Sequence, residues 1–221
     1  MEKKKKALVL GATGLVGKCI VDELIADESI GSIVLFLRRS SGITNNKITE
    51  HIVDFENFAS FKELISGDIA FSAMGTTLKQ AGSKKAQYKV DYTYQYEFAK
   101  AAAENGVSEF HLVSSSGANA KSLIFYTKIK GQLDAAIGEL PFKRTFIFRP
   151  SVLMGERAEK RQGEEQGAKI INGLVKWIPF LKKYRGIQAQ EVAQSILAAH
   201  HSDNEKKYTI YTLDELFDLI Q

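Results

Sequence analysis

The sequence predicts an α/β protein built around one doubly wound parallel sheet, and three observations support that prediction. Short apolar runs typical of buried strands alternate with stretches of helical periodicity from residue 5 to residue 150. A glycine-rich turn follows the first apolar run and opens the first helical stretch. Because such alternation requires right-handed crossovers, the strands should run parallel, with helices on both faces of the sheet.

The predicted strands are short segments that contain several apolar residues and end near polar residues or glycine. The predicted strands are residues 5–10, 32–37, 47–53, 68–73, 109–113 and 143–148, with a last candidate at 208–211. The predicted helices are residues 14–26, 57–64, 84–105, 122–139, 190–201 and 213–220. In the first helix Val16, Ile20 and Leu24 recur at helical spacing and mark the buried face, which Cys19 also adjoins.

Composition excludes several classes of protein. The longest apolar runs are far shorter than a membrane span needs, so no membrane association is predicted. A single cysteine, Cys19, rules out an intrachain disulfide and is compatible with the predicted cytoplasmic location. The net charge of +4 comes without aromatic–basic interleaving, which favours a small phosphate-bearing ligand over nucleic acid. The four histidines show no metal-ligand spacing, so no metal is predicted.

The glycine-rich turn carries the first functional signal. Gly11, Gly14 and Gly17 stand three residues apart between a strand and a helix, where glycines permit a sharp turn, a close ligand and tight helix packing. The helix N-terminus would then face the pyrophosphate of a dinucleotide. The alternative is a glycine turn without a ligand. The residues predicted to contact the cofactor in this turn are Gly11, Thr13, Gly14, Leu15, Val16 and Gly17.

The carboxyl ends of the other strands should complete the cofactor site, because ligands of open parallel sheets bind there. At the end of the second strand stand Arg38 and Arg39, followed by two serines, where an NAD-binding chain would carry an acidic residue. Guanidinium groups suit a 2′-phosphate, so NADP is predicted over NAD; a solvated basic turn is the alternative. The other predicted cofactor contacts at strand ends are Asp54, Phe55, Ala73, Met74, Gly75 and Pro150.

A second motif predicts proton transfer at the same edge. Tyr126 and Lys130 are one helical turn apart, and a neighbouring ammonium favours the phenolate form of a tyrosine. Three serines, residues 114–116, follow the fifth predicted strand, and one of their hydroxyls could orient a substrate oxygen. Strand alternation allows at most two of the three to share a side, and the sequence does not choose decisively among them.

These motifs together resemble those of the short-chain dehydrogenases/reductases. The resemblance rests on the turn from Gly11 to Gly17, the serines, Tyr126-x-x-x-Lys130 and the run Arg149-Pro150-Ser151-Val152-Leu153. The glycine spacing is that of the extended and atypical branches. The runs 74–77 and 79–82 and the motif Arg161-x-Gly163-Glu164 are similar to those of the Tat-interacting-protein type of atypical reductase and its bacterial relatives.

The resemblance covers about residues 7–170 and implies a Rossmann fold, NADPH binding and a Ser-Tyr-Lys site. It implies Ser115, Tyr126 and Lys130 as catalytic residues, with Tyr126 and Lys130 also contacting the cofactor. The expected activity is an NADP-dependent oxidoreductase acting on a small carbonyl or alcohol. Two alternatives stay open: a non-catalytic NADPH-binding regulator, and a nucleotide-sugar epimerase or dehydratase, which the short C-terminal part disfavours.

The predicted domain is a single one over residues 1–221, with a core at 1–150 and a substrate-side and C-terminal segment at 151–221. In that segment, residues 156–166 are strongly charged and residues 169–183 are amphipathic. We expect 156–183 either to cover the substrate or to pack as a surface helix on the sheet or a second subunit. The predicted partners are therefore a small-molecule substrate and, as one option, a second copy of the chain in a homodimer.

Overall fold

The computed structural model describes residues 4–154 and 185–221, and the strands there form a seven-stranded and a two-stranded sheet. The strands are β1 (Lys5–Leu10), β2 (Ile30–Leu37), β3 (Ile48–Ile52), β4 (Ile69–Ser72), β5 (Glu109–Val113), β6 (Arg144–Arg149), β7 (Leu153–Met154), β8 (Ile187–Gln188) and β9 (Tyr208–Thr212). The large sheet has the order β3-β2-β1-β4-β5-β6-β9 and every neighbouring pair in it is parallel. The predicted doubly wound Rossmann-type sheet is confirmed.

Helices cover both faces of this sheet. The α-helices of the described residues are α1 (Leu15–Ala26), α2 (Leu78–Ala81), α3 (Lys84–Tyr88), α4 (Tyr94–Glu104), α5 (Phe125–Gly138), α6 (Ala189–His201) and α7 (Glu215–Asp218). One apolar cluster joins α1 and α6 to the sheet, and a second joins α4 and α5 to it. None of the helices in the described parts of the chain has the length and apolar character needed to cross a lipid bilayer.

The sequence pattern located most elements to within a few residues, and β1 and β5 have the predicted bounds. The predicted helix 57–64 is instead a pair of 3₁₀ turns, Phe58–Ser60 and Lys62–Leu64. A 3₁₀ turn places residues three apart above each other, and the Phe58 and Phe61 rings pack at 4.7 Å between centroids. Phe61, which separates the two turns, has φ −137°, outside the α-helical range, and its buried side chain lies in the second apolar cluster.

The predicted helix 84–105 is continuous but not uniform, because a π-helical turn, Lys89–Thr93, separates α3 from α4. The tyrosines along it stack in sequence, with ring centroids 4.9 Å apart for Tyr88 and Tyr92 and 5.8 Å apart for Tyr92 and Tyr96. This agrees with the packing role that such a stripe usually has.

The C-terminal part differs most from its prediction. The predicted helix 213–220 is reduced to α7, because Leu213 has a left-handed backbone (φ 50°) and the Thr212 N–H donates to the Glu215 carboxylate at 2.7 Å. The short pair β7–β8 was not predicted, since two-residue strands carry no periodic pattern. The stretches 156–166 and 169–183 and the motif at Arg161, Gly163 and Glu164 lie outside the described residues.

Candidate functional site

The glycine-rich turn is closely packed against the neighbouring strand end. Gly11 has φ 86°, and a Cβ there would lie 2.5 Å from the Met74 backbone nitrogen. A Cβ at Gly17 would overlap the carbonyl oxygen of Gly11, so the helix approaches the turn as closely as glycine allows. Gly14 precedes α1 without any side-chain cap, so the first-turn N–H groups of the helix can serve an anion.

We expect Gly17→Ala to destabilise the fold by about 1–3 kcal/mol, because the added methyl group must displace backbone atoms of the turn. The measurement is urea unfolding followed by circular dichroism. Lys18→Ala, an exposed substitution on the same helix, is the matched control and should change stability by less than about 0.5 kcal/mol. Equal stability of the two variants would contradict the packing role of Gly17.

The end of β4 lies beside this turn. Ala73 N–H donates to the Leu10 carbonyl at 2.9 Å, which continues the β1–β4 ladder past the assigned strands. Ala73 and Met74 are half-buried and Gly75 is exposed. The buried Asp91, which the sequence analysis did not single out, accepts a hydrogen bond from the Thr76 N–H at 3.1 Å. Asp91 thus fixes the backbone that follows Gly75.

Arg38 and Arg39 are both exposed directly after β2. The serines that follow them are held by Glu50 of β3: the Ser40 hydroxyl donates to its carboxylate at 2.7 Å, and the Ser41 hydroxyl also donates to it. These hydrogen bonds lower the pKa of Glu50. The two arginines are therefore presented on a loop that a carboxylate orders.

Asp54 and Phe55 behave differently from each other. Asp54 is exposed, and its carboxylate accepts a hydrogen bond from the Glu56 N–H at 2.9 Å. Phe55 is buried and its ring stacks on Tyr94 at 5.6 Å between centroids. Burial and a hydrogen bond to Glu56 raise the pKa of Tyr94 to about 12. The Phe55 side chain is therefore part of the core, and its backbone is what a ligand could contact.

The three serines have different surroundings. Ser114 is buried, and its N–H donates to the Phe148 carbonyl at 2.7 Å. Ser115 and Ser116 are half-buried, and the Ser115 hydroxyl donates to the Ser116 carbonyl at 3.3 Å. The Ser116 N–H donates at 3.0 Å to the carbonyl of Pro150, which is itself buried. Ser115 and Ser116 are thus both more accessible than Ser114, and the role of Ser115 stays a prediction.

Tyr126 and Lys130 lie one turn apart on α5, as predicted. The Tyr126 side chain is 37% exposed, and its hydroxyl forms no hydrogen bond with the described residues. Lys130 is buried, and its Nζ donates to the carbonyl of Val113, the last residue of β5, at 3.2 Å. The ammonium is therefore fixed beside the serine loop, while the phenol faces outward and can meet a ligand.

A buried ion pair lies behind Lys130 that the sequence analysis missed. The Arg149 Nε donates to the Asp134 carboxylate at 2.9 Å, and the Asp134 side chain is only 2% exposed. Burial raises the pKa of Asp134, while the Ser114 hydroxyl and the charges of Arg149 and Lys130 oppose that shift. The signal was present in the spacing, since residues 126, 130 and 134 share one face of a helix.

At the opposite edge of the sheet, Glu109, His111 and His200 form a buried cluster with metal-ligand spacing. Glu109 lies 2.5 Å from His111 Nε2 and 2.6 Å from His200 Nδ1, and also accepts hydrogen bonds from Arg144. This cluster was not predicted from the sequence, because His200 lies 91 residues after Glu109 in the chain. Because Arg144 brings a positive charge to the same carboxylate, we interpret the cluster as a hydrogen-bonded ion network and not as a metal site.

Cys19 is half-buried on α1, and burial raises the pKa of its thiol. Its Sγ donates to the Leu15 carbonyl at 3.5 Å. A thiol with a raised pKa is a poor nucleophile, which agrees with the packing role that the sequence favours.

Comparison with protein families identifies this architecture. The family described as NAD(P)H-binding matches residues 11–173, well over half of the chain. The chain belongs to this NAD(P)H-binding family. Its match begins at Gly11 and includes β4, the serine loop and α5, so the glycine turn and the strand ends described above are parts of one family fold.

Curated relatives extend this NAD(P)H-binding assignment. The chain is 39% identical over 182 residues to "Protein FMP52, mitochondrial" of Candida albicans, which covers 79% of this chain and 80% of that protein. It is 32% identical over 176 residues to "Protein HTATIP2" of Rattus norvegicus, covering 78% of this chain and 72% of that protein. The resemblance to the Tat-interacting-protein type of atypical short-chain dehydrogenase/reductase is confirmed.

Solved structures share the fold of this NAD(P)H-binding chain. A UDP-N-acetylglucosamine 4-epimerase from Methanobrevibacter ruminantium, in complex with UDP-N-acetylmuramic acid, superposes with a TM-score of 0.69 at 16% identity, covering 98% of this chain and 81% of that one. MoeE5 in complex with UDP-glucose and NAD gives 0.67 at 13% identity, covering 96% and 80%. At these identities the likeness shows the fold alone.

Proposed function

We propose that this protein is an NADP-dependent oxidoreductase that acts on a small carbonyl compound or alcohol through Ser115, Tyr126 and Lys130. The observation that supports the proposal is the position of these residues. The serines follow β5, Lys130 is bound to the last carbonyl of β5, and the glycine turn follows β1 at the same edge of the sheet. The NAD(P)H-binding family supplies the cofactor class.

The residues present fit a dinucleotide. The uncapped first turn of α1 offers N–H groups to a pyrophosphate, and exposed Gly75 leaves room for a ligand at the end of β4. Arg38 and Arg39 would bind a 2′-phosphate. The nearby Glu50 carboxylate accepts hydrogen bonds from the Ser40 hydroxyl and the Ser41 N–H. Lys130 would also hold the nicotinamide ribose. When bound, the nicotinamide supplies or accepts the hydride.

In carbonyl reduction, the substrate carbon gains the hydride and its oxygen gains the proton of the Tyr126 hydroxyl. Lys130 stabilises the phenolate that remains, because its ammonium is buried and fixed by Val113. Ser115 donates a hydrogen bond to the substrate oxygen and so orients it toward Tyr126. Alcohol oxidation is the reverse, with the phenolate accepting the proton.

We propose a cytoplasmic location for this protein. The FMP52 relatives differ in this respect, since their names include the word "mitochondrial".

The cofactor assignment is tested by titration calorimetry with NADPH and NADH. We expect the double variant Arg38→Glu/Arg39→Glu to weaken NADPH binding at least about tenfold more than NADH binding, because only NADPH carries the 2′-phosphate. The control is Lys100→Glu/Lys143→Glu, which changes the net charge equally at exposed positions. Equal losses for both cofactors would contradict the role of the arginines, and absence of any dinucleotide binding would contradict the proposed function.

A further inference from the structure

A cleft of about 590 Å³ lies at the carboxyl end of β5, where Ser116, the chain neighbour of the proposed catalytic Ser115, lines it. Its walls come from the loop that follows β5, from the end of β6 and from the residues that follow β9: Ser116, Gly117, Ala118, Asn119, Arg149, Thr212 and Leu213. Its volume is in the range of small-molecule sites. Because β5, β6 and β9 are parallel, their carboxyl ends bring this cleft to the edge of the sheet that carries the serines.

Arg149 is the only cation among the described residues that line this cleft. Its Nε is fixed by the Asp134 carboxylate at 2.9 Å, and its terminal nitrogens form no hydrogen bond with the described residues. The side chain is 22% exposed. One edge of the guanidinium is therefore anchored on a buried carboxylate, which orients the terminal nitrogens for a second anion.

The local charge balance also favours an anion. Asp134 is compensated by Arg149, and Lys130 adds a further positive charge to the same cluster, so the cluster has an excess of one positive charge. Glu215 lies next to the lining residue Thr212, and its carboxylate accepts hydrogen bonds from both the N–H and the hydroxyl of Thr212, at 2.7 and 3.0 Å.

The cleft wall carries the one described non-glycine residue with positive φ. Leu213 has φ 50°, a conformation that costs free energy for a branched residue, and its N–H donates to the Arg149 carbonyl at 3.2 Å. Backbone strain of this kind is concentrated at ligand sites. The strained residue thus holds the backbone of Arg149 at the rim of the cleft.

We propose that Arg149 recognises a carboxylate on the substrate, so that the substrate is a small carbonyl compound or alcohol that also carries a carboxylate group. The planar guanidinium matches a carboxylate with two parallel hydrogen bonds, and one cation among the described lining residues matches one negative charge better than a phosphate dianion. This inference rests on the proposed function, because it assumes that the reacting oxygen lies at Tyr126 while the carboxylate lies at Arg149.

The test compares ω-oxo carboxylic acids of four, five and six carbons with the unbranched aldehydes of equal length. Each is titrated by calorimetry into the protein saturated with NADP⁺, a complex that cannot reduce an aldehyde. We expect at least one acid to bind about tenfold or more tightly than its aldehyde. In Arg149→Gln/Asp134→Asn, which removes both charges of the ion pair together, that affinity ratio should fall to about one. Arg149→Lys, which keeps the charge but loses the planar fork, should give an intermediate ratio.

The result that would overturn the proposal is an acid-to-aldehyde ratio near one in the unmodified protein, undetectable binding of all three acids, or a ratio unchanged in a folded double variant. Circular dichroism establishes that the variants are folded. Oxidation of NADPH by the same compounds is then measured separately. Acid binding that depends on Arg149 without any turnover supports the subsite and contradicts the oxidoreductase, whereas turnover of both compounds with equal affinity does the opposite.

Discussion

Tyr126→Phe is expected to lower kcat for carbonyl reduction by a factor of about 10²–10⁴, which is the range for loss of a general acid. The reason is structural: the Tyr126 hydroxyl has no hydrogen-bond partner among the described residues, and Tyr126 precedes the buried Lys130 by one turn of α5. Removal of one oxygen leaves the substrate oxygen without a proton donor. The measurement is NADPH oxidation with the ω-oxo acids and aldehydes, alongside calorimetry of NADPH binding, which should change less than about threefold.

The control for this variant is Tyr96→Phe, which also removes one phenolic oxygen but from the ring stack on α4. Its kcat should stay within about twofold of the unmodified protein. If Tyr126→Phe retained full turnover, Tyr126 would have no part in proton transfer. If the unmodified protein bound NADPH but reduced none of the compounds, the non-catalytic NADPH-binding regulator would be the better description.

Glu109→Gln is expected to destabilise the protein by about 3–5 kcal/mol near neutral pH, because it removes the carboxylate from a buried ion pair with Arg144 and from hydrogen bonds with His111 and His200. Urea unfolding measures the change. The control is Glu104→Gln, whose carboxylate pairs with Lys100 at 3.9 Å on the surface and should be worth less than about 0.5 kcal/mol.

The same cluster makes stability depend on pH. Burial alone would raise the pKa of Glu109, but hydrogen bonds from His111 and His200 outweigh it and hold that pKa well below its ordinary value. Burial lowers the pKa of His111 despite its hydrogen bond to Glu109. Both groups therefore bind fewer protons in the folded chain than in the unfolded chain as the pH falls.

Stability should therefore fall as the pH drops below about 6.5, where an unfolded histidine takes up its proton, and fall further below about 4.3, where an unfolded glutamate does so. In Glu109→Gln the loss of stability below about pH 4.3 is absent. The difference in unfolding free energy between the unmodified protein and this variant should therefore shrink steadily below that pH. A difference that stayed constant down to pH 3 would show that Glu109 does not titrate with folding.

The sequence was sufficient to predict what depends on local pattern. The short apolar-rich segments at β1 and β5 were sufficient to predict the bounds of these strands, and the glycine spacing located the turn and the start of α1. The prediction that Tyr126 and Lys130 lie one turn apart on a helix is also confirmed. These features arise from residues that are near one another in the chain, where periodicity and turn chemistry carry the information.

What the sequence analysis missed depends on pairings across the fold. Glu109 contacts His200, which lies 91 residues later in the chain. Asp134 of α5 contacts Arg149 at the end of β6, 15 residues later. Ser40 and Ser41 bond Glu50 on the adjacent strand, which no local pattern indicates. Leu213 is left-handed although leucine rarely adopts that conformation, so residue type gave no warning.

The two ends of β5 serve different purposes, one in stability and the other in the proposed ligand site. Its first residue, Glu109, belongs to the ion network, whereas the carbonyl of its last residue, Val113, accepts a hydrogen bond from Lys130; the two residues are about 13 Å apart along the strand. Substitutions that diversify the ligand-facing rim should thus be nearly additive with substitutions in the ion network. Substrate preference could therefore change during evolution through substitutions at the rim, while the unfolding free energy contributed by the ion network at the other end of the strand is retained.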